Sequence, residues 1–192
     1  MINIHTLFCV MGRSASGKTS LVREYCKATG KSFVKSYTTR PKREDDDDVM
    51  PDHIFISDDQ VGKYSKEMIA YTEIGDYKYF ATISQIMSSD FYIIDPIGLF
   101  TLHKLINQCN LELELVPIYI NCDKQTMADR AYTRGQDMNA WYKRYYDENH
   151  QFASYERGIA KNPVNYFVVN NNGFFAKALS DFSHIVKKFE VV

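Results

Sequence analysis

Apolar residues recur along the chain with two periods, one typical of buried strands and one typical of amphipathic helices. Residues 4–11 are mostly apolar and β-prone, which predicts a strand covered on both faces. Residues 20–29 repeat apolar side chains at helical spacing and end before Gly30, which predicts a helix with a glycine stop. The same patterns predict further strands at 32–37, 91–96, 113–120 and 165–170, and further helices at 99–110, from 124 onward and at 174–189. This alternation predicts a parallel sheet with helices on both faces and ligands at the carboxyl ends of its strands.

A different pattern follows the second predicted strand. Residues 69–82 form two β-prone runs on either side of Gly75-Asp76, which predicts a β-hairpin. Helical segments are predicted at 58–68 and 83–88. The sequence therefore predicts an α/β fold that carries a small antiparallel insertion.

Composition narrows the class of protein and of partner. The 192 residues are 45% hydrophobic, enough for the core of one domain, and the formal net charge of −1 gives no basis for a nucleic-acid or membrane partner. No apolar run approaches the roughly 20 residues of a membrane span. The N-terminus lacks the pattern of a signal peptide, and the four cysteines form no C-x-x-C pair. Reduced thiols and a cytoplasmic location are therefore expected.

The loop between the first strand and the first helix carries a phosphate-binding motif. Residues 12–19, G-R-S-A-S-G-K-T, have the spacing G-x-x-x-x-G-K-[ST] of a P-loop. In a P-loop successive amide groups point at a phosphate chain, Lys18 reaches the β- and γ-phosphates, and Thr19 ligates Mg²⁺. The flanking strand and helix are the context in which this motif binds a nucleoside triphosphate. The residues predicted to contact that nucleotide are Gly12, Arg13, Ser14, Ala15, Ser16, Gly17, Lys18, Thr19 and Ser20.

Two arginines follow the second predicted strand. Arg40 and Arg43 lie close together around Pro41, which cannot continue a regular ladder. Guanidinium groups make forked contacts with phosphate oxygens, so the pair is suited to a second phosphate. A solvated basic loop explains the same residues equally well.

Residues 36–43 resemble the acceptor-binding segment of the guanylate kinase family, S-x-x-T-R-x-x-R in outline. Residues 52–57 are similar to the family's D-Y-x-F-x-S, with His53 in place of the tyrosine, and Tyr79 corresponds to a family tyrosine on the acceptor phosphate. Asp95 ends a predicted strand and corresponds to a family aspartate near the acceptor, where an acidic residue can also join the Mg²⁺ shell. The resemblance implies acceptor contacts from Ser36, Arg40, Arg43, His53, Tyr79 and Asp95, and metal contacts from Thr19 and Asp95.

A later segment resembles the family's lid, R-x-x-x-R-G followed by another arginine, through Arg130, Arg134 and Arg144. Closure of such residues over a transferring phosphoryl group stabilises its charge and excludes water. A solvated helix face with Asp129 and Asp137 as ionic partners is the alternative. The catalytic residues that the resemblance implies are Lys18, Arg40, Arg130, Arg134 and Arg144.

The resemblance covers most of the chain and implies one P-loop domain of three layers over residues 1–192. Its parts are predicted as a core at 1–35, 90–130 and 150–192, an acceptor-binding region at 36–89, and a helical lid at 131–149. Asn170 resembles a family asparagine near the adenine of the donor.

The activity that the resemblance implies is Mg²⁺-dependent phosphoryl transfer from ATP to a nucleoside monophosphate, GMP or dGMP by default, by a monomer or homodimer. Two guanine contacts of the family fall on Ala70 and Ala81, which cannot make them, and Tyr71 or Glu73 is the predicted substitute. This departure leaves open another nucleotide or a phosphorylated sugar as acceptor. A non-catalytic module that binds protein partners, as in scaffolding proteins, is a further alternative.

Overall fold

A computed structural model describes residues 4–42 and 49–190. Arg43, predicted to contact the acceptor, lies outside the described residues. The strands are β1 His5–Met11, β2 Ser36–Thr38, β3 His53–Phe55, β4 Met68–Ile74, β5 Tyr77–Thr82, β6 Phe91–Ile93, β7 Leu113–Asn121 and β8 Phe167–Asn170. The α-helices are α1 Lys18–Thr29, α2 Ile83–Met87, α3 Pro96–Cys109, α4 Lys124–Thr133, α5 Met138–Asp147, α6 Asn149–Lys161 and α7 Phe175–Lys187.

The core sheet has four parallel strands in the order β6-β1-β7-β8. Side chains of β1 alternate between its two faces: Phe8 and Val10 pack with residues of α1 and α7, and Leu7 and Cys9 pack with residues of α3 and α6. All four are almost fully buried. Burial of each large apolar side chain stabilises the fold by about 1.5–3 kcal/mol. The predicted parallel sheet with a helical layer on each face is confirmed.

The insertion forms a second sheet of four strands, β3-β2-β5-β4, called the insertion sheet below. The hairpin of β4 and β5 is antiparallel, as predicted, but β2 and β3 pair in parallel, so the sheet is mixed. The strand predicted at 32–37 does not join the core sheet as a full strand. Only Phe33 bridges to Phe91, because the chain crosses from one sheet to the other at this point.

Several predicted helices differ in length or type. Residues 58–68 form only a 3₁₀ segment, Asp58–Tyr64, because β4 already begins at Met68. α1 begins at Lys18, two residues earlier than predicted, and ends as predicted at Gly30, which adopts the left-handed conformation. None of the helices in the described ranges combines the length and the apolar character needed to span a bilayer.

Candidate active site

A cavity of about 260 Å³, called the cleft below, lies between the core sheet and the insertion sheet. Its walls come from the P-loop, from β2 to β5, from the junction of β6 and α3, and from the chain between the end of α4 and α6. The predicted site residues that line it are Gly12, Ser14, Ala15, Lys18, Thr19, Ser36, Arg40, His53, Tyr79, Asp95, Arg134 and Arg144. The structure therefore brings residues from all three predicted parts of the site together.

The shape of the P-loop depends on two glycines. Gly17 has φ 93°, and a Cβ there would lie 2.3 Å from Nδ2 of Asn171. A Cβ on Gly12 would lie 2.6 Å from the carbonyl oxygen of Ile120. Neither position accepts a larger residue without displacement of the loop, since the Ile120 carbonyl belongs to β7 and the buried Asn171 amide is bonded to the Ser16 carbonyl.

Two carbonyl groups of the P-loop, those of Ala15 and Ser16, are held by residues that do not line the cleft. Asn171 Nδ2 donates to the carbonyl of Ser16 at 2.8 Å. Arg130 donates to the carbonyls of Ala15 at 3.3 Å and Ser16 at 3.1 Å, and also to Asn171. Arg130 does not line the cleft, so its proposed role over the phosphoryl group stays a prediction, while its observed contacts fix the loop.

Lys18 is a P-loop residue whose side-chain pKa is lowered by its surroundings. Its ammonium group donates to the carbonyl of Arg13 at 3.0 Å. Desolvation lowers the pKa of Lys18 to about 8, against the opposing influence of nearby Glu148 and Asp52. A phosphate chain is the kind of partner that would restore the full charge of this group.

Three other residues predicted to contact the nucleotide do not line the cleft. The guanidinium of Arg13 is bound by Glu156, so its side chain faces α6 and any nucleotide contact is through its backbone. The Ser16 hydroxyl is buried without a partner among the described residues. Ser20 is exposed and does not line the cleft.

Side-chain oxygens that could serve as Mg²⁺ ligands line the cleft beside the P-loop. The hydroxyl of Thr19 donates to Oδ2 of Asp52 at 3.3 Å, and both residues line the cleft. Among the described residues no group of three or more His, Cys, Asp or Glu side chains could hold a metal by itself. This donor set fits an ion that takes most of its ligands from phosphates and water, as Mg²⁺ does in kinases.

Asp95 has two roles in the structure. Its Oδ1 caps α3 by accepting from the amides of Ile97 at 2.8 Å and Gly98 at 2.9 Å. Its Oδ2 accepts from the hydroxyl of Thr72 at 3.3 Å, on the wall of the cleft. The cap therefore fixes the carboxylate at the carboxyl end of β6.

The residues predicted to contact the acceptor include a buried arginine. Arg40 is 5% exposed, lies 5.2 Å from the ring centre of Phe55, and donates to the carbonyl of Pro41 at 2.8 Å. Ser36 Oγ and His53 Nδ1 are hydrogen-bonded at 2.9 Å, and the Tyr79 ring packs edge-on against His53. A guanidinium, a hydroxyl and an imidazole thus line the same cleft as the P-loop.

Side chains of β4 alternate between two faces of the strand, and only one of these faces lines the cleft. Ala70, Thr72 and Ile74 line it, whereas Tyr71 and Glu73 bond to each other outside it. The prediction that Tyr71 or Glu73 replaces a guanine contact is therefore wrong, because successive side chains of a strand point to opposite faces. Ala70 has φ 53°, within a register shift between Ile69 and Thr72.

The predicted lid arginines and Asn170 are divided between two cavities and the surface. Arg134 and Arg144 line the cleft. Arg130 and Arg134 line a second cavity of about 430 Å³ together with Gly173 and residues of α4. Asn170 is exposed and its Oδ1 accepts from Asn121 at 2.8 Å, so its proposed contact with adenine stays a prediction.

Sequence reasoning missed four residues that contact or line the site: Asp52, Thr72, Glu148 and Asn171. Asp52 begins the family-like segment 52–57 but carries no predicted role, and nothing in the local sequence distinguishes Asn171 from the neighbouring asparagines.

Comparison with solved structures identifies the fold. The crystal structure of guanylate kinase from Anaplasma phagocytophilum is similar to this chain with a TM-score of 0.64, over 98% of this chain and 88% of that chain, at 14% sequence identity. No protein-family model and no curated protein sequence matches the chain. At this identity the likeness establishes the architecture alone: a P-loop α/β fold of the guanylate kinase type.

Proposed function

We propose that this protein is an ATP-dependent kinase that phosphorylates a nucleoside monophosphate, with GMP or dGMP as the first acceptor to test. The observation that carries the proposal is the shared cleft, whose wall includes both the P-loop and the side chains of Arg40, Ser36 and Tyr79. One phosphate site made of backbone amides and a second made of side-chain donors are what transfer between two nucleotides requires.

In the proposed reaction, the P-loop amides and Lys18 bind the phosphates of ATP, while Ser36, Arg40 and Tyr79 orient the phosphate of the acceptor. An oxygen of that phosphate attacks the γ-phosphorus, the bond from the γ-phosphorus to the bridging oxygen breaks, and ADP leaves. No protein nucleophile is needed. Mg²⁺, which would be held beside Thr19 and Asp52 or Asp95, supplies positive charge that neutralises the phosphate oxygens when it is bound.

Arg134 and Arg144 are proposed to act at the phosphoryl group in transit. Both lie on the wall of the cleft, and both belong to the segment proposed as the lid. Guanidinium groups placed where negative charge develops lower the barrier, and their effect grows where water is excluded.

A second candidate is a kinase of the same mechanism with a different phosphorylated acceptor. The wall formed by β4 and the junction of β6 and α3 offers the apolar side chains of Ala70, Ile74 and Ile93, and its polar side chains are those of Thr72, Tyr92 and Asp95. Such a wall presents few partners for the polar edge of guanine. Another nucleotide or a sugar phosphate is therefore the alternative to test in the same assay.

A panel of monophosphates assayed with MgATP tests both candidates. We expect turnover with GMP and dGMP, and fast turnover confined to another acceptor would select the second candidate. Lys18→Ala should lower turnover by roughly 100-fold or more, the scale of a lost oxyanion donor. Failure to phosphorylate any acceptor, with no ATP binding by calorimetry, would instead favour the non-catalytic module.

Arg40→Ala separates the two ends of the cleft. We expect the acceptor KM to rise by roughly tenfold or more, while the KM for ATP stays unchanged, because a charged hydrogen bond to phosphate is lost at one end only. Lys42→Ala is the matched control, since Lys42 is an exposed cation of the same segment. Equal effects of the two substitutions would remove Arg40 from the acceptor site.

A further inference from the structure

A carboxylate from the proposed lid lies against the P-loop. Glu148 connects α5 to α6, and its Oε2 accepts a hydrogen bond from the backbone N–H of Ser14 at 3.0 Å. Its Oε1 accepts from Nε of Arg144 at 3.2 Å. Only 11% of the Glu148 side chain is exposed, so the carboxylate belongs to the cleft and not to the surface.

The donors that hold Glu148 are of the kind that hold phosphate. A P-loop amide and a guanidinium group are typical partners of phosphate oxygens, and here each binds one oxygen of the carboxylate. Lys18 is also satisfied within the chain, by the carbonyl of Arg13. Glu148 thus supplies the negative charge and the acceptor atoms that a phosphate would otherwise bring.

We propose that Glu148 is a built-in competitor of the nucleotide, whose carboxylate occupies a phosphate position in the free protein. Because this inference takes ATP as the ligand, it rests on the proposed function. ATP must displace the carboxylate from the Ser14 amide, and this displacement also releases Arg144 from its partner. Nucleotide binding is in this way coupled to the delivery of Arg144 to the phosphoryl group.

The free protein provides a test that does not involve ATP. Hydrogen exchange of the Ser14 amide, followed residue by residue by NMR, should be slower in the wild type than in Glu148→Ala by roughly tenfold, since the substitution removes the acceptor. Asp147→Ala is the matched control, because it removes an exposed carboxylate one residue away and should leave Ser14 unchanged. Equal exchange of Ser14 in the wild type and in Glu148→Ala would overturn the proposal.

ATP affinity tests the competition directly. Glu148→Gln keeps the size of the side chain and removes its charge, and calorimetry should give a Kd for ATP about tenfold lower than in the wild type. Asp147→Asn should leave the Kd unchanged. A Kd in Glu148→Gln equal to or higher than that of the wild type would overturn competition and leave Glu148 as a positioning residue for Arg144. Should the wild type bind no ATP, the proposed kinase function fails, and the exchange of Ser14 still decides whether Glu148 occupies the loop.

Discussion

The charge of Lys18 changes within the pH range in which a kinase can be assayed. Desolvation lowers its pKa to about 8 from the ordinary value of 10.5, and a bound phosphate chain would raise it again by favouring the charged form. We expect ATP binding to take up a proton above about pH 8, and ATP affinity to fall as the pH rises beyond that point. Calorimetry in buffers of different ionisation enthalpy at about pH 8.5 measures the uptake.

Lys18→Arg is the control for this proton, because a guanidinium group stays charged throughout the range. The variant should bind ATP without proton uptake. Undiminished uptake in Lys18→Arg would assign the proton to another group of the cleft.

At the scale of residues, the predicted site residues that line the cleft include those of a local motif. Lys18 and Thr19 belong to a motif of fixed spacing, and both line the cleft. Asp52 and Glu148 reach the P-loop from 33 and 134 residues away, through contacts that no local spacing encodes. Tyr71 and Glu73 were assigned wrongly because a family comparison located the strand without fixing which of its faces meets the cleft.

Among the elements, α6 is fastened to the P-loop by an ion pair. Nε and one terminal nitrogen of Arg13 donate to the two carboxylate oxygens of Glu156, each at 2.7 Å, and the hydroxyl of Tyr119 donates to the same carboxylate. Burial favours the neutral form of Glu156, but these donors outweigh it and lower its pKa. The pair therefore joins the core sheet, the P-loop and α6.

Removal of this carboxylate should destabilise the fold. We expect Glu156→Gln to lower the free energy of unfolding by about 2 kcal/mol, because Arg13 would stay buried without its ionic partner. Since the pKa of Glu156 is lowered on folding, its contribution is present at neutral pH and is lost as the pH falls below the ordinary value of 4.5 and through the lowered one. Urea unfolding at two pH values measures both effects.

The Lys177–Asp181 pair on α7 provides the comparison for this measurement. Its side chains are 73% and 42% exposed, so Asp181→Asn should change the unfolding free energy by less than about 0.5 kcal/mol. Equal costs for Glu156→Gln and Asp181→Asn would mean that the Arg13–Glu156 contact contributes no more than a surface pair.

Strands and helices were predicted correctly where the apolar residues keep one repeat along the whole element. The hairpin of β4 and β5 and the helix α7 follow uninterrupted patterns and were predicted within a few residues. The segment around Phe33 was predicted as one strand, yet it bridges to β6 and then enters the insertion sheet at Ser36. Its apolar pattern is the same in either sheet, so the change of sheet could not be read from it.

The whole molecule places two sheets on opposite sides of one cleft. The P-loop follows β1 and Asp95 follows β6, as expected at the carboxyl ends of parallel strands. The insertion sheet is held against this edge because Ile69 and Ala70 pack in the same buried cluster as Leu102 and Ile106 of α3. The sequence predicted the two sheets separately, whereas their approach depends on this long-range packing.

That approach has a consequence for ligands that span the cleft. A nucleotide pair in which adenosine and guanosine are joined through a phosphate chain should engage the P-loop and Arg40 at once. We expect it to bind roughly 100-fold tighter than ATP or GMP, because the second contact becomes intramolecular. Calorimetry with the three ligands measures the gain.

Arg40→Ala shows whether the gain comes from the second site. In this variant the linked ligand should bind about as tightly as ATP does, while the affinity for ATP itself stays unchanged, since the P-loop is intact. An affinity of the wild type for the linked ligand no greater than for ATP would mean that the two phosphate sites do not act within one molecule. In that case transfer would need a rearrangement of the two sheets, and Arg40 would not be the group that places the acceptor phosphate opposite the P-loop.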